Sequence, residues 1–450
     1  MKKLIQIGAC FFILILLTSC GKEFLDVRRD KTQVVPSTLF DYEAILNNIN
    51  IFNQRAGYQL NVIGSDEYYV EDNVWDLLNY PDQKNAYIWA EDVYEGVEVD
   101  NWDYGYERIL YANTVLDGLK GVKNELTGWA LFFRGYTFYQ LAQTFAPQYE
   151  PATAQETLGI PLRLEMDITL PVTRASLEET FQQIISDVEA SVSLLPLKAP
   201  LKFRPTRQAA YGLLAKTYMH MEDYVKALNY ADSCIQLSEE LLDYNTLDLE
   251  ASYTFAQNRY GENNREVVYM ELIPNTTIVN GTRFCIDPNL YAMYDESDLR
   301  KAAFFFPTRG TFTFKGSYTG SYSFFGGIGL DEMVLLRAEC SARLGNTQKA
   351  VDDLNYLLRN RYRTGEFVPV TAENQDQVMA QIIAERRKQL LCRGARWEDL
   401  RRFNKESKYQ TTLTRELKGT TYELKPGDNR YTWPIPDYVI RMSGIPQNPR

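Results

Sequence analysis

The stretch that most limits what this chain can become runs from Arg207 to Leu237. Ala210, Leu213, Leu214, Thr217, Tyr218 and Met221 recur there at the i, i+3, i+4, i+7 spacing that lays one apolar stripe along a helix. After a polar break at Met221-Glu222-Asp223, the residues Tyr224, Ala227, Leu228, Ala231 and Ile235 repeat the stripe. Small residues at Ala215, Ala227, Ala231 and Cys234 let two antiparallel helices approach closely. A hairpin of this kind cannot bury its apolar face alone, so further hairpins must stack on it.

Tyr211, Leu214, Ala215, Tyr218, Tyr224 and Ala227 stand at the offsets of the tetratricopeptide pattern. Helices predicted over Asp331–Leu344 and Thr347–Asn360 put Ala338, Ala350, Leu354 and Leu357 at the matching offsets of a second, weaker unit. The predicted fold class is mainly α: a tetratricopeptide-like helical-repeat scaffold with a large irregular, loop-rich part and a few short strands. Hydrophobic residues make up 45% of the chain, enough for a sizeable core. The 31 tyrosines suit a surface that touches amphipathic ligands and equally suit repeat cores, so their number leaves both uses open. A formal charge of −11 argues against nucleic acid as a partner, because a phosphate backbone needs clustered Lys and Arg. It argues equally against a peripheral grip on anionic lipid.

The N-terminus carries a charged Lys2-Lys3 start, an apolar run from Leu4 to Leu17, and then Thr18-Ser19-Cys20. That run is short for a membrane span, which needs about 20 residues, so residues 1–19 read as a cleaved signal peptide. The small-residue site ending in Cys resembles the bacterial lipobox, in which Cys20 is lipidated and becomes the mature N-terminus. A plain secretory signal with an incidental Cys is the alternative. Lipidation anchors a chain to a membrane without spanning it, here through a tether over residues 20–36. For Cys234, Cys285, Cys340 and Cys392 the expectation is four buried free thiols, with a disulfide the alternative.

A single body is predicted over residues 37–450, with helical repeats at about 37–57, 103–145, 176–239 and 331–403. Loop-rich insertions fill about 58–102, 240–330 and 404–450. Ser37 is placed as the N-cap of a helix through Asn47, and Asp103–Lys120 with Thr127–Phe145 as a helix pair. Pro147, Pro151, Pro161 and Pro171 forbid long helix after that pair, and Ser176 with Glu179 forms a capping box. Glu266–Ile273 reads as a short β run, and Thr311–Phe325 alternates around Gly316 and Gly320 as a hairpin. Asn374–Leu391 is the last long helix, and the tail from Trp433 to Pro449 is too Pro-rich for regular structure.

Two C-terminal signatures carry a family resemblance. Glu385 to Phe403, ERRKQLLCRGARWEDLRRF, resembles the E-R-R-x-E-L-x-x-E-G-x-R-W-x-D-L-R-R block of the SusD/RagB family. Gln389 and Arg393 depart from it by replacing acids, and Ala395 by replacing a polar residue. Tyr431–Pro436 and Gln447-Asn448-Pro449 resemble the family's closing pattern, and Cys20–Asp26 its mature start. The resemblance implies a tetratricopeptide-like body with an irregular half, in a non-catalytic outer-membrane lipoprotein exposed at the cell surface. It implies as partners a TonB-dependent SusC-like transporter, a glycan or in some members a peptide, and outer-membrane lipid through Cys20. Arg386, Arg387, Arg396, Arg401 and Arg402 are too many charges to bury unpaired. Glu385 and Asp399 are their expected partners, with Arg396 stacked near Trp397.

No GxSxG elbow, phosphate loop, HExxH or EF-hand loop occurs, and His220 is the only histidine. A catalytic triad and a multi-histidine metal site are thereby removed, and no cofactor or metal is expected. The pairs Asp66-Glu67, Glu71-Asp72 and Glu91-Asp92 keep a lipid-anchored glycoside hydrolase as a rival reading, since such enzymes need two placed acids. Binding needs only rings to stack on a sugar's apolar face and polar groups for its hydroxyls. The candidates are Asp66, Tyr68, Trp75, Tyr80 and Trp89 from the 58–106 stretch, and Tyr318 and Tyr322 from 311–325. None lies in a family motif, and packing onto the scaffold competes with ligand contact for each.

Overall fold

The computed structural model describes residues 36–450 apart from Glu239, Gly281 and Thr282. The predicted signal peptide, Cys20 and the tether up to residue 35 lie outside the described residues. Glu43–Arg450 forms one compact unit, and the described residues 36–42 belong to another. Among the described residues no helix is long and apolar enough to cross a membrane.

Helices form where one face is apolar, as in Leu177–Val192, Tyr224–Gln236 and Thr347–Leu358, and where nearly every face is buried, as in Glu125–Phe145 and Arg207–His220. Asp100–Gly118 packs on Glu125–Phe145, which packs on Leu177–Val192. Arg207–His220 and Tyr224–Gln236 make the predicted hairpin, and Leu330–Arg343 with Thr347–Leu358 make the second. Gln375–Gln389 and Ala395–Phe403 follow. Ala210, Leu213, Leu214, Ala227, Ala231 and Cys234 are fully buried, so the stripe read from the sequence is the seam between helices. The starts are fixed locally: Ser176 Oγ accepts from Glu179 N at 3.1 Å, and Glu179 Oε2 accepts from Ser176 N at 2.8 Å. Thr206, Asp223, Asn346 and Asn374 cap the helices that follow them. At the first helix, Leu39–Leu46, it is Thr38 rather than Ser37 whose hydroxyl accepts from Asp41 N, at 3.2 Å.

Strands are short antiparallel pairs. The expected Thr311–Phe325 hairpin is replaced by a different pairing. Thr311–Phe314 folds back on Phe305–Thr308, and Phe324–Phe325 pairs with Leu272–Ile273. Arg309-Gly310, at φ 46° and 79°, supplies the two-residue left-handed turn that matches strand twist. Gly320 serves packing instead: a Cβ there would lie 2.4 Å from the Phe255 carbonyl oxygen. The C-terminal stretch also holds more regular structure than expected. Leu413–Leu417 pairs with Thr420–Leu424, and a helix spans Asp437–Ser443 immediately after Pro436, where no N–H is needed.

The Glu385–Phe403 block is an ion-pair frame. Arg386 holds Asp399 at 2.7 and 2.9 Å, and Arg402 holds Glu339 at 2.8 and 3.1 Å and Asp399 at 2.8 Å. Arg401 donates to the carbonyl oxygens of Gln143 and Ala146. Glu385 does not serve these arginines; it pairs with Arg300 at 2.8 Å and Lys388 at 2.9 Å. Arg396 turns to Asp66, while Trp397, fully buried, stacks on Trp433 with centroids 5.2 Å apart. The closing residues act as a clasp. Gln447 exchanges two 2.7 Å bonds with the Ile435 backbone, and Asn448 donates to the Phe145 and Trp433 carbonyls at 2.8 and 2.9 Å.

Candidate functional site

Of the clefts lined by the irregular part among the described residues, two share the segment 274–280, which puts Thr276 in one and Asn280 in the other. The larger, about 430 Å³, is lined by Tyr253, Asn280, Phe306, Arg309, Thr313, Lys315 and Tyr322 among others. Its walls follow from local chemistry. The Arg309-Gly310 turn closes the Phe305–Phe314 hairpin, and alternation sends Phe305 and Phe314 inward while Phe306 stays 49% exposed. Ser317 Oγ and Thr319 Oγ1 both donate to the Ser323 carbonyl, at 2.7 and 2.6 Å. That ties off a loop whose outermost ring, Tyr322, is 66% exposed. Lys315, 7% exposed, donates from Nζ to the carbonyl oxygens of Leu249 and Ala251 at 2.6 and 3.1 Å. Burial lowers its pKa, partly offset by Glu250 and Asp248. Thr313 is equally buried, and its Oγ1 has no hydrogen-bond partner.

The second cleft, about 240 Å³, has Leu60 and Ile63 in its wall, the 51% exposed Tyr80, and the carboxylates Asp82, Glu98 and Asp100. Burial raises the pKa of Asp82 and Asp100 against backbone bonds at Asp82 and against Tyr104 and Arg55 at Asp100, with a smaller push from Asp100 on Asp82 and from Glu98 on Asp100. Thr276 lines this cleft and Asn280 the other, while Gln83 Oε1 accepts from Ile278 N at 3.0 Å between them.

The structure separates the seven sequence candidates sharply. Tyr80 and Tyr322 reach solvent, on different clefts. Tyr68, Trp75, Trp89 and Tyr318 are core rings and present no face to a ligand. Tyr68 packs between Tyr87 and Phe284, at 5.7 and 5.4 Å. Trp75, 9% exposed, packs on Tyr87 and lies under Lys84. Trp89 donates to the Gly64 carbonyl at 2.9 Å, and Tyr318 is 1% exposed beneath Arg393. Asp66 accepts a two-pronged bond from Arg396 at 2.7 and 2.9 Å and lies 3.1 Å from Arg387. Burial pulls its pKa up, but the two guanidinium groups outweigh that and hold it well below the usual carboxylate range. The sequence reading missed Phe306, Tyr253, Thr313 and Lys315. The only local signal was the Arg309-Gly310 turn beside the Phe304–Phe306 run.

Of the carboxylates read as possible acids, Asp66 and Glu67 have structural roles. Glu67, 1% exposed, accepts from Ser65 Oγ and Cys392 N at 3.1 Å each, and neither it nor Asp66 lines either cleft. His220 is buried against Glu398 and pushed down to about 4, so it is neutral at pH 7. Among the described residues no group of His, Cys, Asp or Glu could hold a metal ion.

Burial pushes Glu67 up to about 7, so the folded chain keeps this proton where the unfolded chain loses it near 4.5. Its contribution to stability is therefore complete below pH 4.5 and lost as pH rises towards 7. In Glu67→Gln the amide oxygen keeps the bond from Cys392 N, and the amide N–H donates to Ser65 Oγ, which itself donates to the Val62 carbonyl. The variant is expected to match the parent near pH 4.5 and to exceed it by up to about 3 kcal/mol near pH 7. Urea midpoints at the two pH values read this directly, and a gap that fails to widen refutes it.

Residues 23–219 match a family model described as starch-binding, associating with outer membrane, and residues 325–450 match the SusD family model. Among solved structures, a SusD superfamily protein from Bacteroides fragilis is 20% identical with a TM-score of 0.72, over 91% of this chain and 99% of that one. A SusD-like carbohydrate binding protein from Bacteroides vulgatus is 18% identical with a TM-score of 0.65, over 90% and 96%. Surface glycan-binding protein A from Bacteroides fluxus is 18% identical with a TM-score of 0.69, over 92% and 100%. These likenesses establish the fold. No curated protein matches the sequence. The helical hairpins, the Glu385–Phe403 frame, the C-terminal clasp and the two family models together make this chain a member of the SusD/RagB family.

Proposed function

We propose that the chain is a cell-surface lipoprotein, anchored to the outer membrane through Cys20, that binds a glycan and passes it unaltered to a TonB-dependent SusC-like transporter. Support comes from the family models and from relatives described as carbohydrate- and glycan-binding. The observation that carries the reading is the Tyr322 cleft. Two exposed rings, Tyr322 and Phe306, share the cleft lining with the polar side chains of Asn280, Arg309, Thr313 and Lys315. A pyranose has the matching halves, an apolar C–H face and a rim of hydroxyls. Of the sequence candidates, Tyr322 is retained for this contact and Tyr80 is assigned to the second cleft.

Titration calorimetry with a panel of oligosaccharides tests the reading. Tyr322→Ala is expected to weaken the best ligand by about tenfold or more, because burying one aromatic face contributes roughly 1–3 kcal/mol. An unchanged affinity would remove this cleft from the account. New reducing ends in the mixture would replace binding with hydrolysis, and a peptide taken in preference to every sugar would replace the glycan. Affinity purification from envelope extract should bring down the transporter.

A further inference from the structure

We infer that the Tyr322 cleft selects an acidic glycan, one whose sugars carry a carboxylate, through Lys315 and Arg309; the inference rests on the glycan-binding reading of the same cleft. Among the described residues, the cleft lining contains these two cations and no Asp or Glu. Lys315 is the decisive one. It is a charged side chain 93% removed from solvent by its 7% exposure, and its ammonium meets two neutral carbonyl oxygens and no carboxylate at ion-pair distance among the described residues. Two of its three N–H groups are used. A buried cation with an unused donor is costly until an anion or acceptor reaches it. Thr313 Oγ1, buried and unpartnered, adds a second unused polar group on the same wall.

Neighbouring acids weaken the case only in part. Glu71 lies 3.6 Å from Arg309 and shares its charge, and the exposed Asp248 and Glu250 stand near Lys315 without pairing to it. The net charge of −11 repels an acidic glycan at long range, but at physiological salt such repulsion is screened beyond about 8 Å. Contact with a local ammonium is not screened in that way. The left-handed Arg309-Gly310 turn, held by four paired residues on each side, places Arg309 in the cleft lining, with its guanidinium 3.6 Å from Glu71 and 3.8 Å from Cys285 Sγ. A uronate ring laid on Tyr322 or Phe306 would thus point its carboxylate at a cation that is already in place, which reduces the ordering cost of binding.

Matched pairs of ligands separate charge from shape. Oligomers of galacturonate and of mannuronate, and the same oligomers after reduction of their carboxyl groups to alcohols, would be titrated at about 0.15 M salt, where the Debye length is about 8 Å. At least one acid form should bind about tenfold or more tighter than its reduced partner, as a charge-assisted hydrogen bond predicts. Lys315→Met should abolish that preference, and Arg309→Gln, at an exposed turn where folding is not at risk, should reduce it. Tyr322→Ala should weaken acid and reduced forms alike. Equal or tighter binding of the reduced oligomers, or a preference that survives both cation variants, overturns the acidic-glycan inference and leaves glycan binding standing. Failure of every oligomer, acid or reduced, overturns the acidic-glycan inference, and the glycan reading falls with it only if the wider oligosaccharide panel also fails to bind.

Discussion

Replacing Arg361 by methionine is expected to destabilise the protein by about 3–5 kcal/mol, the usual cost of stripping one partner from a buried ion pair. Arg361 is fully buried, and its Nη2 lies 2.7 and 2.8 Å from the two Glu266 oxygens. Nη1 donates to the Leu242 carbonyl at 2.9 Å and Nε to Gln389 Oε1 at 3.0 Å, while the guanidinium sits 4.2 Å over the Tyr244 ring. Its loss leaves Glu266, itself at zero exposure, facing Asp331 through Tyr318 without a compensating charge. Chemical denaturation measures the loss. The Arg361→Met, Glu266→Gln double variant should recover much of it, since the penalty lies in the orphaned carboxylate. A double variant no better than the single one would show that packing of the guanidinium, not its charge, carries the effect.

Trp397→Ala should cost a comparable amount, about 3–5 kcal/mol, by a different route. The indole is completely buried between Trp433, 5.2 Å away at 19°, and Tyr431 at 5.0 Å. Gly64 lies against both indoles, so close that a Cβ there would stand 2.7 Å from each. Rigid neighbours on three sides cannot collapse into the space, so the cavity term adds to the transfer term. A drop in thermal midpoint smaller than that of a typical surface substitution would refute this packing account. The Tyr322 cleft lies elsewhere in the fold, so glycan affinity of the folded fraction should be retained.

Trp397 lies in the block that the sequence made most readable, whereas Arg361 finds Leu242, Tyr244 and Glu266 in an insertion that the sequence showed only as loop-rich. Helix period, caps such as Ser176 with Glu179, and the small residues of the Arg207–Gln236 hairpin are short-range facts, and each survives unchanged in the structure. The Glu385–Phe403 block was readable as a place where charges must pair, but its partners were less so. Glu339 and Asp66 come from 63 and 330 residues away in the chain, for Arg402 and Arg396 respectively. The binding rings were least legible. Tyr318 and Tyr322 stand four residues apart in one non-periodic loop, yet one is 1% and the other 66% exposed. That difference is set by where Ser317, Thr319 and Ser323 turn the chain, and no residue-type rule encodes it.

Cys234, Cys285, Cys340 and Cys392 are each buried and each unpaired. Burial pushes the thiols of Cys234, Cys340 and Cys392 up, so at neutral pH these three carry their protons and are poor nucleophiles. Cohesion of the body therefore owes nothing to a sulfur cross-link. An oxidant finds little thiolate to attack at these three in the closed protein, and a reductant finds no bridge among the four to cut. The scaffold is in this sense indifferent to the redox state of its surroundings, which suits a chain whose helices, rather than staples, must hold two clefts in shape.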